Sequence, residues 1–536
     1  MNKAKAFSFQ LDHDDTAATL RSPSSITIFT LLVGLFIGAR LWGLTASCLW
    51  FDEIFSVHAA RHDWSRLLGF VAADIIHPPL FYALLKIWSG LGGESLLWLR
   101  LLPALTSIAV IFPFFLLFRE LHLGATEIKL ALLLMAVNGY LIKYAQEVRM
   151  YSLLLFFAVC SLWLFIRFFK AQASSKKQFL VLSAINLLLV YTHYYGWLVI
   201  TAEVAFLVLW GRDKLPDFLM VVAVVLLCFS PWVYTVTLAA EPDKGLAQNI
   251  GWVARPRLAD VVQFFALLNA PFYFRRSSNE YVYARWGLLA GLLVFGLPLL
   301  MLLWKIVRQR GQEGGQRFNA PRCLLLLSFV PLTLAFLASW VLPHSVWGTR
   351  HLIIVAVPYL LLAAISLNRL RPQWLRISVL MLLGSWLLLA GSGQLLRPGD
   401  NYIWCAWGHL SQQMIQHQLN APPATKVYAF EEIIAYHLWF ALEDVEGGKF
   451  KVGLIKGAPG LREDPAYFLP RAFSDIAVQH LSALSENHIW IAFRDTDFYE
   501  QGPPFKALKD RGYEVREVLQ VKAGGQRAFL VELEHQ

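Results

Sequence analysis

The chain has 536 residues, of which 57% are hydrophobic and only 16% are charged, and its mean hydropathy is +0.51. This composition excludes an ordinary soluble protein and is typical of a chain with many membrane-spanning helices. The net charge of +10 would suggest nucleic-acid binding in a soluble protein, so its meaning depends on where the basic residues lie.

Long apolar segments dominate the sequence up to residue 397. One helical crossing of a bilayer needs roughly 20 apolar residues, and the chain offers about eleven such segments. The first is too long for the core of a signal peptide, so we expect it to be retained as a span. The predicted spans are 26–45, 96–118, 129–145, 152–170, 179–194, 197–211, 216–236, 286–306, 322–342, 351–368 and 374–396.

Most basic residues lie in short loops on one side of these spans, which the positive-inside rule makes cytoplasmic. No nucleic-acid partner is expected. We predict a multi-pass protein of the cell inner (plasma) membrane, with a cytoplasmic N terminus and an extracytoplasmic C-terminal domain. The loops carry Arg119, Lys129, Arg167, Lys170, Lys176, Lys177, Arg212, Lys214, Lys305, Arg308, Arg310, Arg317, Arg322, Arg369, Arg371 and Arg376.

The segment 78–93 is apolar but short, and counting it as a span would put the basic loops on alternating sides. We therefore predict a helix lying along the outer membrane surface. Residues 1–396 are predicted as the membrane domain, with outer juxtamembrane helices within 46–95. The outer loop 237–285 and the C-terminal domain are expected to shape a cleft for an acceptor.

After residue 397 the apolar runs shrink to strand length and alternate with helical stretches, which predicts a soluble α/β domain over 397–536. The fold class predicted is therefore mainly α and polytopic, with a C-terminal extracytoplasmic α/β domain. The predicted strands are 426–430, 450–455, 488–493 and 527–533, and the predicted helices are 431–443 and 475–485.

The five cysteines show no CxxC or Cys/His metal spacing. Cys48 and Cys405 are expected on the same side of the membrane. A disulfide between them is weighed against two unpaired thiols, and the unpaired thiols are favoured.

The first polar cluster is "FDEIFSVHAARHDW", in which Asp52 and Glu53 follow the first span. A carboxylate at the membrane edge can act as a base toward an acceptor hydroxyl or amine. The alternative is that Asp52 only caps a juxtamembrane helix, because Asp is a favoured N-cap residue.

A second candidate, His77, precedes two prolines that start a helix, where it could bind phosphate as a cation, orient the carboxylates or be an ordinary interfacial histidine. A third group, Lys143, Glu147 and Arg149, lies where the third span should end. Ionisable residues at such a boundary indicate a functional site. The alternative, snorkelling from a helix end, explains Lys143 more easily than Glu147.

Two further stretches place polar residues at outer helix ends. Arg350 and His351 open a late span, and a guanidinium there suits bidentate binding of phosphate, with a topological anchor as the alternative. His193 lies in the aromatic stretch 191–198, most of which is predicted to be an interfacial belt.

In their order and residue types these stretches resemble motifs of the membrane glycosyltransferases of the GT-C superfamily. The resemblance is specifically to glycosyltransferase family 39 and its aminoarabinose-transferase-like and protein-mannosyltransferase-like relatives. The likeness covers about residues 26–370. The matching stretches are "DE" (52–53), "HPPLFYALLKIW" (77–88), "RLLPAL" (100–105), "YAQEVRMYSLLL" (144–155), "HYYGW" (193–197) and "TRHLIIVAVPYLLLAA" (349–364).

The resemblance implies transfer of a monosaccharide from a polyprenyl-phosphate donor to a lipid, glycan or protein acceptor on the outer face, with inversion. It makes Asp52 the catalytic base, with Glu53 completing the pair. His77 stands where some relatives have a lysine that contacts the donor phosphate. Glu147 belongs to the QExRMY form of the second outer loop, and Arg350 is the implied ligand of the lipid phosphate.

The resemblance leaves the cofactor open, because relatives differ in metal use. One hypothesis is a Mg²⁺ or Mn²⁺ ion at Asp52, Glu53 and Glu147, since carboxylates suit these ions, and the other is a reaction without a metal ion. A transporter or flippase of lipid-linked sugar, a binding protein anchored by its spans, and an oligosaccharyltransferase also remain as alternatives. The sequence shows no WWDYG-like signature of the last class.

Overall fold

The structure is a computed structural model. Parts of the predicted loop 237–285, namely 240–249, 252 and 273–284, lie outside the residues that it describes. The described residues are 23–172, 175–239, 250–251, 253–272, 285–308, 318–396, 402–417, 425–443, 445, 449–459, 469–470, 473–494, 502–523 and 525–536.

All eleven predicted spans are helical. Within the described ranges, eight helical segments are long and apolar enough to cross a bilayer, so the chain is a multi-pass membrane protein. The helices up to residue 396 are α1 (Pro23–Leu41), α2 (Phe51–Arg61), α3 (Trp64–Asp74), α4 (Leu80–Gly92), α5 (Leu96–Ala109), α6 (Ile111–Glu120), α7 (Ala125–Val137), α8 (Gly139–Ala145), α9 (Tyr151–Lys170), α10 (Lys176–Thr192), α11 (Gly196–Trp210), α12 (Leu215–Ala239), α13 (Leu258–Asn269), α14 (Arg285–Gly291), α15 (Leu297–Arg308), α16 (Ala320–Val341), α17 (Ala356–Asn368) and α18 (Gln373–Leu396).

Two spans form the centre of the helical bundle. Of their apolar windows, 78% is buried in Tyr151–Lys170 and 89% in Thr349–Asn368, against 11% in Gln373–Gly393. The second central span begins with a 3-10 turn, Thr349–Val355, that leads into α17. Side chains at the ends of these two spans therefore sit on the most firmly packed part of the membrane domain.

The predicted span 129–145 is interrupted at Asn138. The side chain of Asn138 accepts a hydrogen bond from the main-chain N–H of Leu141 (2.8 Å) and so caps α8. Its amide also donates to the carbonyl oxygen of Leu268 (2.6 Å). The second part of the predicted span is therefore a separate helix, α8, which begins at Gly139 and ends at Ala145, just before Glu147.

The predicted helix over 78–93 is α4, which begins after the two prolines and packs on α5. The rings of Trp88 and Trp98 stack with centroids 4.3 Å apart, and each indole N–H donates to the other residue's carbonyl oxygen (2.7 and 2.8 Å). A Cβ added at Gly92 would lie 2.2 Å from the Trp98 ring, so this contact requires glycine.

The C-terminal part forms the predicted α/β unit around one six-stranded sheet, in the order β3-β2-β1-β4-β6-β5. The first four strands in that order are parallel, and β6 and β5 are antiparallel. The strands are β1 (Thr425–Ala429), β2 (Phe450–Lys456), β3 (Ala477–His480), β4 (His488–Arg494), β5 (Tyr513–Ala523) and β6 (Gln526–His535), and the helices are α19 (Cys405–His417), α20 (Glu432–Leu442) and α21 (Pro503–Lys509).

The helix predicted over 475–485 is wrong. Residues Ala477–His480 form the edge strand β3, and a short 3-10 turn follows at Leu481–Ala483. The apolar spacing favours a helix locally, but parallel pairing with β2 determines the conformation. Such pairing depends on a distant segment, so local pattern does not reveal it.

Cys48 and Cys405 form a disulfide, so the expectation of two unpaired thiols is wrong. The loop after α1 and the first residue of α19 meet with their Cα atoms 5.3 Å apart, within the range of disulfides. Ile54 of α2 also packs into the core of the α/β unit, and Nδ1 of His58 lies 2.9 Å from the Tyr436 hydroxyl. The α/β unit is thus joined covalently to the loop before α2, and to α2 itself by apolar and polar contacts.

Candidate active site

Two predicted site residues from distant parts of the chain meet at one point. Asp52 lies in the first turn of α2, and Arg350 lies in the 3-10 turn before α17. Nη1 of Arg350 donates a hydrogen bond to Oδ2 of Asp52 at 2.6 Å, which forms a charge-assisted ion pair. The side chains are 27% exposed for Arg350 and 17% for Asp52, so a ligand can reach the pair.

Asp52 does not cap α2, because Glu53 does so. Oε2 of Glu53 accepts a hydrogen bond from the main-chain N–H of Trp50 (3.0 Å), as in a capping box. The fully buried Glu53 carboxylate also accepts from the N–H of Val148 (2.9 Å) and from Arg100 (3.3 and 3.4 Å). The two adjacent carboxylates therefore face different surroundings, with Asp52 at the opening and Glu53 inside.

Arg149 is buried and anchored on several sides. Its Nη1 donates to the main-chain oxygen of Asp52 (3.1 Å), to Oγ of Ser56 (3.2 Å) and to the hydroxyl of Tyr82 (3.2 Å). Its Nη2 lies 3.3 Å from Nε2 of His77. Because a guanidinium can only donate, Nε2 of His77 is the acceptor of this hydrogen bond.

His77 is a neutral acceptor at this position. With Nε2 accepting, the imidazole proton sits on Nδ1, which lies 3.4 Å from Oδ2 of Asp74. Burial and the charge of Arg149 lower the pKa of His77 well below its usual value, and Asp52 opposes them only in part. The histidine therefore supports Arg149 and is not the cation that sequence reasoning considered.

Asp52 is charged at neutral pH. Burial alone would raise the pKa of its carboxyl group, but the positive charges of Arg350 and Arg149 outweigh burial and hold the pKa below its usual value. The site thus presents an ionised carboxylate beside two guanidinium groups.

His193 and His351 lie next to each other near the Asp52–Arg350 ion pair. Their ring centroids are 4.5 Å apart, and the ring of His77 lies 5.5 Å from the first and 6.4 Å from the second. The main-chain N–H of Tyr195 donates to Nδ1 of His193 at 3.0 Å. Nε2 of a neutral His193 therefore carries the proton and is a donor.

Several polar side-chain atoms around the ion pair are buried and have no hydrogen-bond partner among the described residues. A buried polar group left unpaired costs about 1–3 kcal/mol, so such a group marks a place where a ligand or water completes the site. Both Nε of Arg149 and Nε2 of His193 are donors, which favours an anion. The atoms are Nε of Arg149, the hydroxyl of Tyr151, Nε2 of His193 and Nε2 of His351.

The three histidines are also the group that could hold a metal ion. Their ligand atoms all lie within 4.8 Å of one another, and no other such group of three occurs in the described ranges. The hydrogen bonds from Arg149 to His77 and from Tyr195 to His193 use or fix the ring nitrogens, so an ion would compete with them.

The predicted carboxylate set for Mg²⁺ or Mn²⁺ does not assemble in the described part of the chain. Its three members have separate partners. Asp52 pairs with Arg350, Glu53 points inward to Arg100, and Glu147 accepts from Nε1 of Trp50 at 2.7 Å.

Glu147 and Lys143 lie at the margin of the cluster. Through its bond to Trp50, Glu147 orients the indole ring whose centroid lies 5.7 Å from the guanidinium carbon of Arg350. The Lys143 ammonium lies 5.2 Å from the ring centroid of Tyr144. That ring begins a row of aromatic contacts that leads through Tyr151 to His351.

Sequence reasoning missed several residues that build the site. Tyr82 and Tyr151 each occur inside a stretch quoted for the family resemblance, as does Arg100, so their signal was present. Ser56 and Trp50 flank the two carboxylates. Their roles depend on where α2 begins, which the sequence predicts only to within a few residues.

Comparison with known proteins gives a likeness of structure only. No family model matches the chain, and no curated protein matches it by sequence. ArnT from Cupriavidus metallidurans bound to undecaprenyl phosphate is 13% identical, with a TM-score of 0.59 over 95% of this chain and 98% of that one. The same protein in the apo state is 15% identical, with a TM-score of 0.58 over the same shares.

A more distant likeness is to the oligosaccharyltransferase AglB from Archaeoglobus fulgidus, in complex with an inhibitory peptide and a dolichol-phosphate. It is 14% identical, with a TM-score of 0.47 over 79% of this chain and 64% of that one. At such identities a likeness shows the fold alone, and this is what the match to ArnT provides. Together with the helical bundle and the C-terminal sheet, it shows that the chain has the GT-C fold.

Proposed function

We propose that the chain is a glycosyltransferase that moves a monosaccharide from a polyprenyl-phosphate donor to an acceptor by one inverting displacement. The observation that carries the proposal is the juxtaposition of the Asp52 carboxylate with Arg350 and with buried, unpaired donors on Arg149 and His193. Such a site offers a base for an acceptor and a cationic pocket for a phosphate, side by side.

The donor chemistry fits the position of the site. A polyprenyl phosphate is anionic and tethered in lipid, so its phosphate has to be bound where membrane helices end. Arg350 and His351 open a central span, and His193 follows α10. A phosphate oxygen can accept from the guanidinium and from the His193 Nε2–H, which removes the cost of leaving that donor unpaired. The likeness to an ArnT bound to undecaprenyl phosphate supports this assignment.

The reaction balances with the groups present. Asp52 takes the proton of an acceptor hydroxyl or amine while the acceptor atom attacks the anomeric carbon from the face opposite the phosphate. The bond between the anomeric carbon and the phosphate oxygen breaks, and its electron pair leaves with the polyprenyl phosphate. Arg350 stabilises the charge that develops on this leaving group. No second carboxylate has to protonate it, unlike in a glycosidase.

We assign the face that carries Asp52 and the α/β unit as extracytoplasmic, in the plasma membrane. Two independent observations support this. The basic loops lie on the opposite face, as the positive-inside rule requires of cytoplasmic loops. The disulfide between Cys48 and Cys405 lies on the face of the site, and disulfides persist in oxidising compartments.

We further propose that the acceptor, a lipid, glycan or protein, approaches from the side of the α/β unit. This unit contacts α2, the helix that carries Asp52, through Ile54 and His58. The domain boundary near residue 397 is part of the same proposal, because the chain leaves the last membrane helix there.

Transfer of labelled sugar from a panel of polyprenyl-phosphate monosaccharides tests the proposal. Membranes with the wild-type chain are compared with Asp52→Asn and with Arg61→Gln, an arginine at the far end of the same helix that pairs with Glu94 and Glu443. Label should reach an acceptor with wild type and Arg61→Gln and be lost with Asp52→Asn. Lipid-linked sugar that changes leaflet without transfer would instead identify a flippase.

A further inference from the structure

We propose that Arg350 is shared in turn by the Asp52 carboxylate and the donor phosphate, so that the donor has to bind before Asp52 can activate an acceptor. The inference rests on the proposed function, and it adds a second role for Arg350 and an order of binding. It follows from the finding that Arg350, the implied ligand of the phosphate, is hydrogen-bonded to Asp52, the implied base.

The two arginines of the site differ in how firmly they are held. Arg149 is 3% exposed and bonds to four groups, two on α2, one on α4 and one on His77 in the segment before α4. The Arg350 side chain is 27% exposed, and the hydrogen bond that its guanidinium makes among the described residues is the one to Asp52. Its other contact is with the face of Trp50. Arg350 is therefore the guanidinium that can move.

The main chain beneath Arg350 is fixed, so only the side chain has to swing. The hydroxyl of Tyr140 donates to the carbonyl oxygen of Thr349 (2.6 Å), and the N–H of His351 donates to the carbonyl oxygen of Gly348 (3.0 Å). A Cβ at Gly348 would lie 2.4 Å from Nδ1 of His351, so the turn is closely packed. The guanidinium can therefore turn from Asp52 toward a phosphate bound at Nε of Arg149 and Nε2 of His193 while the main chain stays in place.

The changes in charge on the phosphate and on Asp52 during the reaction favour the move of Arg350 from Asp52 to the phosphate. A polyprenyl-phosphate sugar carries one negative charge on its phosphodiester. When the bond to the anomeric carbon breaks, the departing phosphate gains a second charge. Over the same step Asp52 gains a proton and becomes neutral. The attraction of Arg350 for the phosphate therefore rises while its attraction for Asp52 falls, and this favours the transition state over the bound ground state.

The hydrogen bond from Arg350 also explains why Asp52 is a poor base before the donor binds. Oδ2 of Asp52 already accepts a hydrogen bond from the Arg350 N–H, so this oxygen is less available to receive a proton. Arg350 also makes the carboxylate a weaker base. Once a phosphate withdraws the guanidinium, Oδ2 becomes available and more basic.

The test measures how readily Asp52 is protonated, with and without lipid. A carbodiimide modifies protonated carboxyl groups, and mass spectrometry of the peptide around Asp52 reports the extent. The full chain in nanodiscs is treated with and without undecaprenyl phosphate, the probe that supplies the phosphate. Retention of this lipid is measured on the same samples. Arg61→Gln serves as the charge-matched control, and Arg350→Gln and Arg350→Lys as the test variants.

We expect bound lipid to raise modification of Asp52 several-fold in wild type and Arg61→Gln. Arg350→Gln should be modified strongly without lipid and respond little to it, whereas Arg350→Lys should keep part of the response. Retained lipid with unchanged or lower modification of wild-type Asp52 would overturn the shared role of Arg350. Failure to retain the lipid at all would overturn the proposed function as well, so the two failures are distinguishable.

Discussion

Nη2 of Arg100 lies 3.3 Å from Oε2 of Glu53, and both side chains are completely enclosed. The same guanidinium donates to the carbonyl oxygens of Leu44 (2.6 Å), Ser47 (2.7 Å) and Cys48 (2.6 Å). One arginine on a membrane helix therefore holds both the loop before α2 and the residue next to the proposed base. This gives a structural role to the "RLLPAL" stretch.

Arg100→Ala should lower the melting temperature of the purified protein strongly. Breaking a buried ion pair by removing one partner costs about 3–5 kcal/mol, because the other charge stays buried without compensation. Arg100→Lys should also destabilise, since an ammonium cannot satisfy three carbonyls and a carboxylate with the geometry of the guanidinium fork. A melting temperature of Arg100→Ala equal to that of wild type would contradict this role.

The sequence predicts the membrane fold and the residues that meet in the site, because charged groups at outer helix ends must share one boundary layer. It does not reveal which carboxylate faces the opening. That depends on α2 starting at Phe51, so that Glu53 rather than Asp52 closes the capping box. The sequence does not predict the tautomer of His77 either, because this tautomer is determined by Arg149, 72 residues away in sequence.

The sequence does not favour the disulfide over two unpaired thiols, and it predicts a helix where the edge strand β3 lies, for a related reason. Both depend on contacts between segments far apart in the chain, as Cys48 and Cys405 are separated by 357 residues. Local pattern carries information on helix and strand periodicity but not on which distant partner a segment finds.

The Asp52–Arg350 pair should stabilise the protein in a pH-dependent manner. The pKa of Asp52 is lower in the folded than in the unfolded chain, so the contribution is fully present above the unfolded value of about 3.9 and is lost as pH falls through the folded value. The melting temperature of Arg350→Gln should therefore fall below that of wild type between about pH 5 and 7, and the difference should shrink below about pH 4. A difference that grows on acidification would contradict the assignment.

Removal of the disulfide should loosen the link between α2 and the α/β unit. Cys405→Ser is expected to lower stability by about 2–5 kcal/mol, the usual cost of losing a native disulfide. Reducing agent should lower the melting temperature of wild type but not of Cys48→Ser/Cys405→Ser. The control is Cys228→Ser, because Cys228 is an exposed free cysteine on α12. Wild type that is insensitive to reduction would argue against this link.

Two glycines of α4 provide a matched pair for the packing of this helix on α5. A Cβ at Gly92 would lie 2.2 Å from the Trp98 ring, whereas a Cβ at Gly90 would meet nothing within 4 Å. Gly90→Ala should therefore be neutral or stabilising by up to about 1 kcal/mol, as expected for a glycine in a helix. Gly92→Ala should lower the melting temperature, because the stacked indoles have to separate. Equal effects of the two changes would contradict the tight contact.

Substitutions of His77 test whether the proposed phosphate site needs a hydrogen-bond acceptor or a cation at this position. Nε2 of His77 accepts from Arg149 at 3.3 Å, so His77→Gln can preserve this bond through its amide oxygen, whereas His77→Lys places an ammonium against a buried guanidinium. We expect His77→Gln to keep most transfer activity and His77→Lys to lose at least tenfold. Both variants are compared in the sugar-transfer assay, with lipid retention measured in parallel. Higher activity in His77→Lys than in His77→Gln would show that the site needs a positive charge at this position and that Arg149 does not depend on an acceptor there.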